Sequence, residues 1–410
     1  MSQPTLIRHT GWGYFPVAAL ARLPFAMMVV GVLTLVTNAT GSIALAGLTS
    51  AATGVGVVVA GPLIGDLVDR FGQRAVVLPV GLANGTLLAL FPFVVMSGQT
   101  AGLILFAAVL VGATAPQASA LSRTRLVGIT RDRVSDERRE RTMSRVMSYE
   151  SAVDETAFII GPVLVGVLAS FVAPWAPIAM AAVLSFAFVT AFALHPTAAV
   201  TDADVVRAPA RALLSRPILV VVGATFGVGL FFGATLTSLT AFAQSVGHGE
   251  QSGLLYGLMG VGSAILALLV MLLPARFPLT LRWVAFSAIL ALAAAGYATA
   301  GDLTTVIVML CLMGLGVGPT LVTLFTLAGE RSPDGRSATT MTLVGSALTL
   351  AQAIASAVTG ALAEATSATI AMLLPVAAAL LVLGLGVVNA LASRRAVVEL
   401  VAPRPITLDA

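Results

Sequence analysis

Apolar stretches of about twenty residues recur along the chain at 16–37, 43–65, 75–97, 101–121, 147–170, 174–194, 217–243, 253–273, 281–300, 304–327, 338–362 and 369–392, separated by short polar breaks. At a rise of about 1.5 Å per residue, a helix of that length crosses a hydrocarbon layer about 30 Å thick. A barrel would need apolar and polar residues to alternate over about ten positions, whereas these runs are continuously apolar. The pattern predicts an all-α membrane protein with twelve transmembrane helices.

The polar breaks orient the chain. All 22 basic residues are Arg. With Arg22 set aside, the rest fall in the amino tail, the even-to-odd loops and the carboxyl tail, and none in the opposite loops. The positive-inside rule then places both termini in the cytoplasm. Residues 196–216 are the only long segment of mixed polarity, so 1–195 and 217–393 read as two six-helix halves joined by a cytoplasmic linker, with 394–410 as a tail. An internal echo supports duplication: Met143 to Asp154 runs parallel to Met341 to Gln352, and Pro116 matches Pro319. Parallel repeats around a central site are a recognised transporter plan.

Composition narrows the function. With 58% apolar residues, 18 acidic residues in 410 and a mean hydropathy of +1.01, no water-soluble surface could be covered. The formal charge of +4 describes the Arg-rich face; a nucleic-acid partner would come with a soluble binding module, and none is present. A chain without Lys has no nucleotide-binding P-loop. With no metal cluster or nucleophile triad either, it reads as a non-enzyme without cofactor or metal. Cys311 stands alone in the tenth stretch as a packing residue, His195 and His248 as solvated loop residues, and the first apolar run as a retained helix rather than a cleaved leader. The absence of Lys and the abundance of Ala, Val, Gly and Arg point to a high-GC bacterial source, and so to a bacterial inner membrane.

Between helices 2 and 3 the chain reads Gly65-Asp66-Leu67-Val68-Asp69-Arg70-Phe71-Gly72-Gln73-Arg74. This resembles the motif of the major facilitator superfamily, a Gly followed by Leu, Asp, Arg, Gly and a basic residue in that loop. The twelve spans and the central linker resemble the same family. The resemblance implies that Gly65, Asp69, Arg70, Gly72 and Arg74 govern conformation, with Asp69 facing the amino end of helix 11 at Ser337 to Thr340. Gly161-Pro162-Val163-Leu164-Val165-Gly166 in helix 5 resembles the family's antiporter signature, with Ala157 and Val165 where glycines are usual. It implies that Gly161, Pro162 and Gly166 bend the helix between the halves of an exporter.

Three charges interrupt apolar runs: Arg22 in helix 1, and Asp154 and Glu155 in helix 5. Each costs about 2.5–3.5 kcal/mol at a helix centre. In the family arrangement helices 1 and 5 are neighbours, so Arg22 and a carboxylate would offset each other. Asp154 and Glu155 point about 100° apart, so one pairs with Arg22 and the other faces the cavity or the interface, and spacing does not decide which. The cluster reads either as a proton carrier or as a structural ion pair. Helix 4 lacks the mid-helix Arg common in proton-coupled exporters, with Arg123 at its cytoplasmic end. The resemblance further implies a substrate cavity lined by helices 1, 4, 7 and 10, with Met27, Met28, Thr34, Asn38, Gln117, Phe226, Phe231, Phe232, Thr235, Thr323 and Phe325 as candidates. Such a lining suits amphiphilic compounds better than sugars or phosphorylated anions.

The run from Arg123 to Arg145 carries eight Arg and predicts an amphipathic helix on lipid headgroups between helices 4 and 5. Together these readings predict a monomeric, proton-driven antiporter for small amphiphilic molecules, including drugs. Uptake or metabolite exchange, and a membrane sensor without transport, are the alternatives.

Overall fold

The computed structural model describes residues 5–199, 207–247, 252–274 and 277–401, which leaves His248 and part of the linker outside the described residues. Among the described residues all regular structure is helical. A short helix, Thr5–Thr10, precedes α1 (Tyr14–Thr40), α2 (Ile43–Phe71), α3 (Gln73–Met96), α4 (Ala101–Ala113 continued by Ala118–Arg133), α5 (Asp136–Phe171) and α6 (Ala176–Leu194). After the linker come α7 (Arg216–Ser245), α8 (Ser252–Leu269), α9 (Leu279–Ala298), α10 (Leu303–Glu330), α11 (Ser337–Ala365) and α12 (Leu373–Val401). Eleven helices are long and apolar enough to cross a membrane, and Leu255–Leu269 of α8 is a shorter apolar helix.

In lipid every backbone and hydroxyl group needs a partner inside the protein. Hydroxyls therefore turn back on their own helices: Thr49 donates to the Leu45 carbonyl at 2.7 Å, Thr225 to Val221 at 3.0 Å and Thr320 to Gly316 at 2.7 Å. Side-chain caps form on the face opposite the Arg-rich one. Ser42 accepts from the Leu45 amide at 3.1 Å to start α2, and Asp302 accepts from the Thr305 amide at 2.9 Å to start α10. The hydrogen bonds from Thr305 hold the exposed Asp302 carboxyl below the usual carboxylate range.

Two boundaries differ from the sequence reading. α4 breaks at Thr114–Gln117, because Pro116 has no amide to donate and disfavours helical geometry in the residue before it. It then restarts and runs to Arg133, while α5 begins already at Asp136. The Arg-rich run is thus no separate surface helix. It is divided between two extended helices, and Asp136 and Glu137 place negative charge at the favourable amino end of α5. Cys311 also differs, being exposed rather than packed.

Within the first six helices, α2 packs on α4, α3 on α6, and α1 on α2, α5 and α6. Within the last six, α7 packs on α11 and α12, and α10 on α8 and α9. Across the two sets, α2 meets α11, α5 meets α8 and α10, and the second segment of α4 meets α11. Those crossings position the candidate site.

Candidate functional site: an ion cluster and an interhelical latch

Arg22 lies where α1 is interrupted between Leu20 and Leu23, 4% exposed. Its Nε donates to Asp154 at 2.6 Å, one terminal nitrogen donates to Glu150, and the other to the Ala18 carbonyl at 2.6 Å. Asp154 is therefore the partner of Arg22. Arg123 also pairs with Asp154, and Ser119 donates to the same carboxylate at 2.6 Å. Ser122 donates to Glu150 at 2.8 Å and shares a 2.7 Å hydrogen bond with the Tyr14 hydroxyl. Two guanidiniums and two carboxylates thus form a charge-balanced cluster in which each carboxylate is held by more than one donor. A buried pair is tolerable only when its remaining hydrogen bonds are satisfied in this way.

Glu150 and Arg123 were missed from the sequence as members. Glu150 was legible in principle, since it precedes Asp154 by four residues and shares its helical face. The apolar pattern puts Arg123 at the end of helix 4, but the break at Pro116 and the continuation to Arg133 carry it inside, 2% exposed. Its guanidinium lies 3.7 Å from the ring centre of Phe325 on α10 and so ties the cluster to the last six helices.

Glu155 points elsewhere. It is directed at Ser263 and Tyr256 of α8, and no cation lies within 4 Å of it among the described residues. The Ser263 hydroxyl is fully buried and meets no partner with hydrogen-bond geometry, and the same holds for Ser148 and Ser151 of α5. Ser148, Ser151 and Glu155 fall at i, i+3 and i+7 of one helix and share a face. The seam between α5 and α8 thus carries a carboxylate without an ion-pair contact among the described residues, and hydroxyls with unused hydrogen-bonding capacity.

A second cluster sits on the Arg-rich face. Asp69 accepts from the Ala338 amide at 2.9 Å, the Thr339 amide at 2.7 Å and the Thr339 hydroxyl at 2.6 Å, so it caps the first turn of α11 from another helix. Asp66 pairs with Arg70 at 2.6 Å and with Arg336, which precedes α11. A Cβ at Gly65 would overlap the Thr342 hydroxyl and lie 2.9 Å from the Ala338 carbonyl, so only glycine allows this approach. Gly72 joins α2 to α3 at φ +84°, a left-handed conformation that favours glycine. Arg70 and Arg74 are exposed.

In the helix-5 motif, a Cβ at Gly161 would lie 2.7 Å from that of Ala26, which seats α5 against α1. α5 runs unbroken through Pro162, and Gly166 is exposed with nothing within 4 Å of a Cβ placed there. The cavity candidates separate into groups. Met27, Met28 and Phe231 are enclosed in hydrophobic cores, and Phe232 packs tilted against Phe231. Thr323 is buried, donating to the Pro319 carbonyl at 2.8 Å, and Thr235 is buried with no partner. Thr34 and Phe226 are half-buried and Asn38 is exposed. Gln117 donates to Ser346 of α11 at 3.2 Å, and Phe325 carries Arg123; both lie between the two sets of helices.

Apolar helices of membrane-spanning length, joined by buried ionic contacts, define a polytopic helical membrane protein. The family model of the Major Facilitator Superfamily matches residues 14–356, and the chain belongs to that family. It is a multi-pass transporter rather than an enzyme. Similar solved structures include a bacterial homologue of the iron transporter ferroportin in an outward-facing state, at 18% identity over 92% of this chain and 98% of that one, with a TM-score of 0.73. The human organic anion transporter MFSD10 (TETRAN) is similar at 16% identity over 94% and 100%, with a TM-score of 0.69. The proton:xylose symporter XylE is similar at 11% identity over 92% and 95%, with a TM-score of 0.71. No curated protein sequence matches the chain.

Proposed function

We propose that this chain is a proton-coupled antiporter that exports small amphiphilic compounds, drugs among them, across a bacterial inner membrane. It works as a monomer among membrane lipids, with both termini cytoplasmic, by rocking residues 1–195 against 217–393 about the linker 196–216. The observation that carries the reading is the division of labour between adjacent carboxylates. Asp154 is neutralised by direct contact with Arg22 and Arg123, while Glu155 faces α8 with no cation in ion-pair contact among the described residues. A carboxylate on a seam between moving halves can be protonated in one arrangement and released in the other, which is what coupling requires. Asp69 steadies the arrangement in which α2 and α11 touch on the cytoplasmic side. Export is supported by the Gly161-Pro162 motif of α5. The named substrates of the similar structures, organic anions, iron and xylose, differ too widely to choose one here.

The test is flux in proteoliposomes under an imposed pH gradient. Glu155→Gln should lose at least about tenfold of proton-driven flux and retain substrate exchange down a gradient, whereas Asp154→Asn should chiefly lower stability. Undiminished proton coupling in Glu155→Gln would reject the carrier role. Comparing inverted with right-side-out vesicles separates export from uptake, and ligand binding with no flux in either would leave a sensor.

A further inference from the structure

Helix Thr5–Thr10, the end of α4 and the turn that follows α6 enclose a groove of about 330 Å³ on the Arg-rich face. His9, Arg133 and His195 line it together with Thr10, Thr197, Ile129 and Pro196, and among the described residues no acidic side chain lines it. Directly behind the wall lies Arg125, 2% exposed. Its Nη1 donates to the Thr197 hydroxyl at 3.1 Å and the Phe192 carbonyl at 3.0 Å, while Nε and Nη2 donate to the Gln73 side-chain carbonyl at 3.0 and 2.7 Å. The guanidinium stacks 3.9 Å from the ring centre of Phe192. All of these acceptors are neutral. Among the described residues no carboxylate lies within 4 Å of Arg125, in contrast to Arg22 and Arg123.

A buried cation whose direct hydrogen-bond partners are all neutral is costly; Glu150 of the neighbouring ion cluster offsets part of that cost, and an anion in the groove would offset more. The Thr197 hydroxyl that accepts from Arg125 is also 2.9 Å from His195 Nδ1, so the buried charge and the groove wall belong to one hydrogen-bonded chain. Two imidazoles and an exposed guanidinium around a small concavity, with no acidic side chain among its described lining residues, match the needs of a tetrahedral oxyanion, which presents several strong acceptor oxygens. We propose that this groove binds a phosphate group, carried either by an anionic lipid headgroup at the membrane surface or by free phosphate. The site is separate from the Asp154–Glu155 region and does not depend on the proton-coupling reading.

Thermal unfolding of the detergent-purified full chain tests it, with ligand binding to the folded state read as a rise in melting temperature. The probes are inorganic phosphate, a short-chain phosphatidylglycerol, and sodium chloride at matched ionic strength. His9→Ala/Arg133→Ala is the variant, since both residues are exposed and the melting temperature without probe should hold. Stabilisation by both probes, by phosphate alone (a free-phosphate site) or by the lipid alone (a headgroup site) supports the proposal when the variant weakens it at least about tenfold. A shift no larger than that of chloride, or one equal in the variant, overturns it. Should the variant melt lower without probe, Arg133→Gln with the same titration decides by the same criteria.

Discussion

The first six helices and the last six follow one plan but keep their interiors polar by different means. In the first set, Arg22, Glu150, Asp154 and Arg123 are buried as ions whose charges cancel. In the second, the position parallel to Asp154 is the neutral Gln352. Buried hydroxyls there donate to their own helix, as Thr323 to Pro319 and Thr326 to Val322, or pair locally, as Ser238 with Tyr297 at 3.1 Å. Pro116 breaks α4, whereas its counterpart Pro319 sits within an unbroken α10. The break lets α4 shift course and bring Arg123 against Asp154. The two sets thus share a helix order, while the paired buried ions concentrate in the first. The second copy meets that charge only at its edges: Phe325 under Arg123, α8 opposite Glu155, and the α11 amino end on Asp69.

If the ions of the first set are a balanced unit, removing one cation should be the most damaging change. Arg22→Ala strands Glu150 and leaves Asp154 to Arg123 alone, and should cost about 3–5 kcal/mol of stability. Gln352→Ala, at the parallel site, should cost about 1 kcal/mol or less. Thermal and denaturant unfolding in detergent measures both, and equal losses would break the contrast between the halves. The latch comes next. Asp69→Asn removes the charge and one of the acceptors at the α11 amino end, worth about 0.5–2 kcal/mol, or roughly a 2- to 30-fold shift between conformers. Distances between spin labels at the ends of α2 and α11 should lengthen, with ligand binding preserved; lost binding at unchanged distances would give the loop another role. Phe325→Leu keeps an apolar side chain but removes the ring face beneath Arg123, for about 0.5–2 kcal/mol. A double-mutant cycle with Arg123→Gln should show that coupling, and additive losses would sever this link between the sets. The smallest effect concerns the Arg without a carboxylate partner. Partial burial, helped by the nearby Arg125 charge, holds the His195 imidazole below its ordinary value. Its NMR titration midpoint should therefore lie under about 6.5 and move upward in Arg125→Gln. A midpoint at the ordinary value would mean that His195 does not feel the buried charge.

Much of this was legible beforehand because lipid is an unforgiving solvent. Runs such as 217–243 or 304–327 have no stable state in a membrane other than a helix, so the apolar pattern alone yields the element count. The pairing of Arg22 with helix 5 was legible too, since a charge within an apolar run demands an opposite charge at similar depth. The choice between Asp154 and Glu155 was not, because neighbours on a helix differ only in direction and the packing partners decide which direction is which. Glu150 escaped notice because it lies near the predicted helix end, where a carboxylate needs no special partner; the extension of α5 to Asp136 buried it.

What the sequence by itself determined is the set of helices, the side of the bundle on which Arg collects, and the need for buried charges to find partners. These follow from hydrogen bonding and desolvation, which act locally on each segment. Only the tertiary structure decided that Arg123 joins Arg22 on Asp154, that Glu155 turns to α8, and that Arg125 is buried with neutral acceptors alone. Those outcomes depend on how a helix restarts after a break and which neighbour it then meets, and interhelical packing settles that over separations from 31 residues, for Arg123 and Asp154, to 132, for Arg22 and Asp154.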